Sequence, residues 1–381
     1  MKDEEEEEER HRRTTRELRD LVKSVRSGEF EYDERSKKSL DWSSYTEAQA
    51  YELADMLYTI TKLVDEATNR LPAEELEKKR GRGRPPVYSP ADIAKVMLMQ
   101  SYFGVSNRVA AGLALVFREK LRLSDTFSYK TIERGYDPGP VTRILQEVFR
   151  MTNEYGNANE DTFSFDGTGE PTSTKVNYES VRSEQQQQKR NDDEGPTAAA
   201  GTWPASSPSS KHSFQYSESS VGVHTKIFGG ATSTPDHSVG ELLMFPSVLS
   251  QTHINCPGMK TALGDALYSN RPACSMVAQY GAKPYFFPKV NSIFMSHGVP
   301  SWKEMMYEFV DDPQQWLRVY HMRSISETAN SMDKRRFPWK LKKRLAWRKD
   351  VESFLRRDVH NIRQYCYLSY LEPHLIKKMR F

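Results

Sequence analysis

The chain has 381 residues, 37% of them hydrophobic and 28% charged, and its formal net charge is +3. This length is enough for one catalytic domain of about 200 residues with one or two helical modules. The three cysteines, Cys256, Cys274 and Cys366, lie far apart in sequence, which argues against a disulfide framework and a structural zinc site. An acidic N-terminus and the lack of a run of about 18 apolar residues argue against export and membrane insertion, so we expect a cytoplasmic protein.

Charge is distributed unevenly along the chain. Residues 3–9 are all acidic, whereas residues 334–357 contain eleven Lys or Arg and, as acids, only Asp350 and Glu352. Such a basic run is more often a solvated surface, but this one also contains Trp339 and Trp347. Basic side chains with interleaved aromatic ones favour a surface that follows phosphates. We therefore predict a basic helical C-terminal segment at 338–381.

The N-terminal part is predicted to be a disordered leader followed by a helical region at 45–150. Residues 1–44 are highly charged and contain too few large apolar residues to build a core, so no structure is predicted for them. Between residues 45 and 66 the apolar residues recur at helical spacing, which predicts a helix with one buried stripe.

Within the helical region, residues 80–86 form a basic strip that is unlike a helix. Arg82 and Arg84 flank a glycine and precede Pro85, a sequence that resembles the AT-hook core. Extended arginines of this kind fit the narrow minor groove of A·T-rich DNA, because its negative potential attracts them. A basic interdomain linker is the alternative, and the sequence leaves both open.

A helix-turn-helix order follows the strip. Ser89 and Pro90 predict a capped helix that reaches about Tyr102, and Gly104 predicts the turn before a second helix that ends near residue 120. Ser128 is placed to cap a third helix. Many small helical bundles have this order, so by itself it leaves DNA binding and a scaffold role open.

Residues 160–337 are predicted to form an α/β domain with acidic residues at strand ends. A strand at 162–169 reaches Asp166, and a later strand at 261–266 reaches Asp265. Taken singly, an aspartate before a glycine after a strand is most often a turn. A polar stretch at 179–218 is predicted to be a disordered insertion. Further strands are predicted at 221–228, 242–248 and 282–289, and a helix is predicted at 271–280.

The stretch from Tyr320 to Lys334 lacks glycine and proline and has a helical period. As one helix it would present Tyr320, Arg323, Glu327 and Lys334 in a sector about 60 degrees wide. The opposite face would be apolar and would pack on the sheet. The simpler interpretation is a solvated face with an ion pair between Arg323 and Glu327, four residues apart.

The pattern Tyr-x2-Arg-x3-Glu-x6-Lys carried by these four residues resembles the signature of a branch of the DDE transposases of bacterial and archaeal insertion sequences. The order of the acids is also similar to that family, with Asp166 ending an early strand, Asp265 following a later one and Glu327 within the signature. The resemblance covers about residues 85–365 and includes Lys334-Arg335-Arg336. The polar insertion and the acidic leader depart from the family pattern.

The resemblance implies an RNase H-like catalytic domain, a mixed sheet flanked by helices, preceded by an all-α DNA-binding region. It implies that Asp166, Asp265 and Glu327 hold two Mg²⁺ or Mn²⁺ ions for in-line displacement at phosphodiesters. Tyr320, Arg323, Lys334, Arg335 and Arg336 would then contact DNA, with Arg82 and Arg84 as further contacts. A homodimer on paired transposon ends, in the nucleoid, is also implied.

Three alternatives remain open from the sequence. A structure-selective nuclease would use the same acids without strand transfer, and a transposase-derived DNA-binding protein would bind without catalysis. An unrelated scaffold with basic surfaces would make the placement of the acids coincidental. Convergence of the three carboxylates within reach of a shared metal pair separates the enzymes from the other two.

Overall fold

The computed structural model describes residues 2–33, 40–76, 88–172, 214–236, 239–337 and 340–379, with side chains from residue 14 onward. The AT-hook-like strip with Arg82 and Arg84, Trp339 and most of the 179–218 insertion lie outside the described residues. None of the helices within those ranges combines the length and the apolar composition needed to cross a bilayer.

The N-terminal part of the chain is helical, and the part that follows contains the strands together with further helices. The first seven helices are α1 Lys2–Ser27, α2 Trp42–Arg70, α3 Ala73–Leu76, α4 Pro90–Phe103, α5 Asn107–Val116, α6 Tyr129–Gly135 and α7 Pro140–Gly156. The strands are β1 Thr162–Pro171, β2 Phe214–Gly222, β3 Phe228–Thr234, β4 Thr261–Gly264 and β5 Lys283–Phe286. The later helices are α8 Glu241–Asn255, α9 Arg271–Gln279, α10 Pro300–Asp311, α11 Pro313–Tyr320, α12 Ser324–Arg336 and α13 Ala346–Leu371, with short 3-10 turns at His321–Arg323 and Pro373–Leu375.

Local sequence explains the helix-turn-helix order of α4 and α5. Ser89 caps α4 by accepting a hydrogen bond from the Ala91 amide at 3.2 Å, and Pro90 occupies the first turn. Gly104 ends α4 in the left-handed conformation, at a φ of 64°, where a side chain would be strained. Ser106 then begins α5. The cap expected at Ser89 is therefore present, whereas Ser128 precedes α6 without a capping hydrogen bond from its side chain.

The strands form one mixed sheet in the order β3-β2-β1-β4-β5. The central strand β1 pairs antiparallel with β2 and parallel with β4, and β4 pairs parallel with β5. Helices flank the sheet, so the architecture is mixed α/β and compatible with the RNase H-like fold expected from the sequence.

Alternate residues of β1 serve the two faces of the sheet. Phe165 packs against Phe245 of α8 with ring centroids 5.1 Å apart, in a core shared with α9, α10 and α11. On the opposite face, the Ser164 hydroxyl donates to the Arg323 carbonyl at 2.9 Å, and the Arg357 guanidinium of α13 donates to Glu170 at 2.7 Å. Because side chains alternate along a strand, Asp166 lies on this second face, toward α12 and α13.

The prediction that residues 1–44 carry no structure is wrong for α1. Leu18 and Val22 are fully buried in the core beneath the sheet, together with residues such as Phe286 and Phe309. The partly buried Leu21 and Val25 extend the same stripe. Averaged composition conceals this stripe, because four apolar residues at helical spacing lie among many charged ones.

Two strand predictions are also wrong. The strand expected at 221–228 spans the turn between β2 and β3, and β2 already begins at Phe214, inside the expected insertion. Residues expected as a strand at 242–248 lie in α8, which contains Pro246. A short apolar run has no period that separates a buried strand from a buried helix.

The single helix expected from Tyr320 to Lys334 is divided. It consists of the end of α11, the 3-10 turn His321–Arg323, and α12 from Ser324. At the break, serine hydroxyls donate hydrogen bonds to backbone carbonyls. Ser324 donates to the His321 carbonyl at 3.1 Å, and Ser326 donates to the Arg323 carbonyl at 2.9 Å. Such side-chain bonds compete with regular helical bonding.

Candidate active site

Asp166 lies in the middle of β1, opposite Ser219 of β2, so the prediction that it ends its strand is wrong: pairing with β2 continues to Pro171. Its carboxylate accepts a hydrogen bond from the Asn330 amide of α12 at 3.3 Å. The strand therefore holds the Asp166 carboxylate between the sheet and α12.

Asp265 follows β4, the parallel neighbour of β1. Ser164 pairs with Leu263, so the register brings Asp265, just beyond the end of β4, alongside Asp166 in the middle of β1. The Leu267 amide donates to the Asp265 carboxylate at 2.7 Å, and the Tyr268 amide donates to the Asp265 carbonyl at 3.2 Å. This tight turn fixes the carboxylate at the edge of the sheet.

Glu327 lies in the first turn of α12 and its side chain is 60% exposed. Arg323 donates to its carboxylate at 3.1 Å, so the ion pair that formed the simpler sequence interpretation is present. Tyr320 is not on an open face with them: its ring lies 5.3 Å from each of the rings of Phe287 and Trp316. Burial raises the pKa of the Tyr320 hydroxyl.

Electrostatics link the three expected acids. The pKa of Asp166 is raised to about 6, first by burial and then by the charge of Glu241, with smaller contributions from Glu327 and Asp265 and an opposing one from Arg323. Asp265 and Glu327 therefore both contribute to the raised pKa of Asp166. A clustered set of carboxylates with a raised pKa is a common property of functional sites.

Glu241 is a fourth carboxylate at this place that the sequence analysis missed. It is the first residue of α8, and it accepts a hydrogen bond from the Tyr216 hydroxyl. A Cβ on Gly167 would lie 2.6 Å from Glu241 Cγ, so the glycine beside Asp166 makes room for this side chain. The residue was hidden because the segment after it was predicted to be a strand, whereas an acid after a glycine marks a helix start.

Glu218 is a further missed acid, on the other face of the sheet from Asp166. It pairs in register with Gly167, is fully buried, and accepts a hydrogen bond from the Tyr268 hydroxyl at 3.1 Å. Burial raises the pKa of the Glu218 carboxyl to about 9, so it is neutral near pH 7. Within the described part of the chain, its second oxygen has no hydrogen-bond partner.

The chemistry of this donor set suits a hard divalent cation, because Mg²⁺ prefers carboxylate oxygens. The arrangement as it stands does not complete a site: across the described ranges, no group of three or more His, Cys, Asp and Glu side chains is placed to hold a metal ion. Glu327 is turned toward Arg323. The described arrangement therefore does not bring Asp166, Asp265 and Glu327 together around a shared metal position.

The other expected DNA contacts are dispersed. Lys334 and Arg335 are exposed at the end of α12, seven and eight residues beyond Glu327. Arg336 instead faces the helical region, with its guanidinium 4.6 Å from the Tyr102 ring centre and 3.4 Å from Glu52. Among the expected cations that the structure describes, only Arg323 is close enough to affect the pKa of Asp166.

The chain is similar to the probable transposase for insertion sequence element ISA1214 from Archaeoglobus fulgidus, with 25% identity over 236 residues. The aligned part is 62% of this chain and 63% of that protein, so the chain matches less than two thirds of the relative's length. No protein-family model matches the chain, and no solved structure matches it significantly.

Proposed function

We propose that the chain is a DDE transposase that cleaves DNA at transposon terminal repeats and transfers the freed strand to a target. Similarity to a probable transposase supports a transposase in general. The observation that carries the catalytic proposal is the register that brings Asp265 alongside Asp166, together with the charges of Asp265 and Glu327, which contribute to the raised pKa of Asp166.

The proposed cofactor is a pair of Mg²⁺ or Mn²⁺ ions. Divalent ions about 3.5 to 4 Å apart activate the attacking oxygen and stabilise the leaving one in phosphodiester displacement. In this proposal Asp166, Asp265 and Glu327 would hold the ions. Glu241, which already acts on the pKa of Asp166, adds negative charge to the same place.

Arg323 has two roles in this proposal. It holds Glu327 at 3.1 Å before substrate arrives, and its planar guanidinium can then pair with a DNA phosphate in two parallel hydrogen bonds. That exchange releases Glu327 for the metal site. The exposed Lys334 and Arg335 extend the phosphate contacts away from the cut, and Tyr320 supports Arg323 from below, 5.9 Å from its guanidinium.

Duplex DNA is the proposed partner, and a homodimer on paired ends, associated with the nucleoid, is the proposed assembly. Light scattering of the protein with terminal-repeat DNA tests the assembly: a protein mass of twice 44.0 kDa is expected, and a single copy per paired complex would contradict it.

The function is tested with labelled duplex carrying the element's terminal repeat, in Mg²⁺ or in EDTA. Wild type should nick the repeat and form joined products only with Mg²⁺. Asp166→Asn, Asp265→Asn and Glu327→Gln should each lower cleavage at least about 100-fold while leaving DNA binding intact. Asp311→Asn, an equal change at the exposed end of α10, is the matched control.

The absence of a ready metal group among the described residues favours one second candidate, a DNA-binding protein derived from a transposase. Binding of the repeat without any cleavage, unchanged by Asp265→Asn, would identify that candidate. Cleavage without joined products would identify a nuclease instead.

A further inference from the structure

A cleft of about 690 Å³ lies between the helical region and the basic C-terminal segment. The turn from α4 to α5 and the first turn of α5, residues 104–108, form one wall, and residues 342–345 form the other. The sequence analysis treated these two parts as separate DNA contacts. The structure places them face to face.

The cleft is strongly basic. Its lining contains six Lys or Arg and only two acids. Two of the cations have acidic partners: Arg348 contacts Asp137 at 2.7 Å, and Arg356 contacts Glu170 at 3.6 Å. Arg108 and Arg344 are both exposed, and no carboxylate of the described residues pairs with either. The two arginines lie on opposite walls: Arg108 is in the first turn of α5, and Arg344 is in the basic segment.

The wall formed by the basic segment is held in place before any ligand binds. The Glu352 carboxylate accepts hydrogen bonds from the Lys342 and Lys343 amides at 2.9 Å each. Lys342 Nζ donates to the Gly104 carbonyl and Lys343 Nζ to the Asn107 side chain, both at 2.7 Å. These bonds join the two walls. Because the side chains are already ordered, binding a ligand costs little conformational entropy.

Lys343 is a half-buried cation of the cleft. Its Nζ lies 3.6 Å from the centre of the Tyr136 ring, and burial lowers the pKa of the Lys343 ammonium to about 8. An anion in the cleft would favour the charged form of this lysine. With a pKa of about 8 this lysine is already mostly charged near pH 7, and a bound phosphate would hold it in that form.

The outer face of α5 is apolar rather than basic, because Val109, Leu115 and Val116 are exposed there. Base edges are identified chiefly by hydrogen-bonding side chains, which this face lacks. The first turn of α5, with Arg108, lines the cleft instead. The helix-turn-helix part thus offers a contact for the sugar-phosphate backbone.

We propose that this cleft binds the phosphate backbone of duplex DNA, with Arg108 and Arg344 contacting phosphates from opposite walls and Lys342 and Lys343 holding the walls together. The proposal deepens the proposed function, since it assigns a second contact for the same DNA.

The position of the cleft suits a duplex that also reaches the acids. The Leu341 amide donates to the Pro171 carbonyl at 2.8 Å, so the basic segment starts at the end of β1. Along β1, Pro171 is five residues from Asp166, which corresponds to about 17 Å. This span is shorter than one helical turn of DNA, which is about 34 Å.

The test measures the affinity for a labelled 40-base-pair duplex by fluorescence anisotropy between about 50 and 200 mM KCl, in EDTA so that no cleavage occurs. The variants are Arg108→Gln, Arg344→Gln and the double substitution. The slope of log K against log salt is negative, and each lost phosphate contact should reduce its magnitude by about 0.9. The double substitution should reduce it by about 1.8. Lys260→Gln, on an exposed residue at the amino end of β4, is the matched control and should leave the slope unchanged.

An unchanged slope in the double variant, or no measurable duplex binding by wild type at 50 mM KCl, would overturn the proposal. If polyglutamate binding depends on the two arginines and duplex binding does not, the cleft binds an acidic protein segment and the DNA assignment is likewise overturned. Cleavage of the terminal repeat is measured in parallel on the same variants with Mg²⁺. If the wild type cleaves and the double variant has an unchanged salt slope, only the cleft proposal is overturned. If binding depends on the arginines but the wild type does not cleave, only the catalytic proposal is overturned.

Discussion

Adjacent residues of β1 serve different purposes. Asp166 faces α12, where Asn330 contacts it, while Gly167 turns to the other face and leaves room for Glu241. Glu218 lies opposite Gly167. One strand position therefore separates a titrating carboxylate from a neutral, buried one, and each has its own pH behaviour.

Divalent cations should stabilise the protein in a pH-dependent way. The pKa of Asp166 is raised to about 6, so a proton competes with the cation below that pH. With Mn²⁺ at about 100 times its Kd, the free energy of unfolding should rise by about 2.7 kcal/mol at pH 7.5, and the gain should shrink as pH falls through about 6. Thermal unfolding with and without Mn²⁺ measures this. Asp166→Asn should lose the gain at every pH, and an equal gain in that variant would contradict the metal assignment.

Glu218→Gln should change the pH dependence of stability. The carboxyl has its ordinary pKa of 4.5 when unfolded and a pKa of about 9 when folded, so wild type loses stability as pH rises from 4.5 to 9. Glutamine resembles the neutral carboxyl and keeps an oxygen for the Tyr268 hydroxyl. The melting temperature of the variant relative to wild type should therefore rise between pH 5 and pH 9. A constant difference over that range would show that Glu218 does not titrate in this way.

At the scale of elements, the amphipathic part of α1 is an integral layer of the sheet core. Leu18→Ala should lower the free energy of unfolding by about 2 to 5 kcal/mol, because Leu18 is fully buried beside the aromatic residues of α10 and β5. Asp20→Ala, on the exposed face of the same helix, should change it by less than about 0.5 kcal/mol. Urea unfolding measures both. Equal effects would mean that the helix does not pack on the core.

Several elements follow directly from local sequence. Ser89, Pro90 and Gly104 determine the ends of α4 through hydrogen bonding and backbone conformation, which act within a few residues. The strands that carry Asp166 and precede Asp265 have the apolar residues and end residues typical of buried strands. These predictions needed no knowledge of distant contacts.

Other features depend on distant contacts that local patterns do not contain. Residues 242–248 are a helix because α8 packs its apolar side on β2 and β3, and nothing within the run itself separates that outcome from a strand. Glu241 belongs to the acidic site only because α8 starts beside Gly167. The break before α12 depends on hydroxyls of Ser324 and Ser326 that also fit an unbroken helix.

Over the whole molecule, α13 connects the helical region to the sheet. Its Asn361 side chain bonds the backbone of Phe228 in β3 at 2.8 and 2.9 Å. From other faces of the same helix, Arg363 and Tyr367 contact Glu52 of α2 at 3.0 and 2.7 Å. The two parts therefore depend on one helix for their packing.

Unfolding should consequently be a single cooperative transition. Trp302 and Trp316 are buried in the sheet core while Trp42 and Trp347 are exposed, so among these four the fluorescence change on unfolding comes mainly from the sheet core. Far-ultraviolet circular dichroism follows mainly the helices. Coincident urea transitions by the two signals are expected. Two separate midpoints would contradict the dependence on α13.

The shared helix also has a genetic consequence. A gene copy with a stop codon ahead of residue 346 would encode β1, β4 and the cleft wall at residues 104–108, but it would not encode α13. The helical region and the sheet would then both lack the helix that completes their packing. The shortened product should be cleared by proteolysis instead of persisting beside the intact protein. Late nonsense mutations should accordingly be recessive, and decaying copies of such a gene should leave intact copies uninhibited.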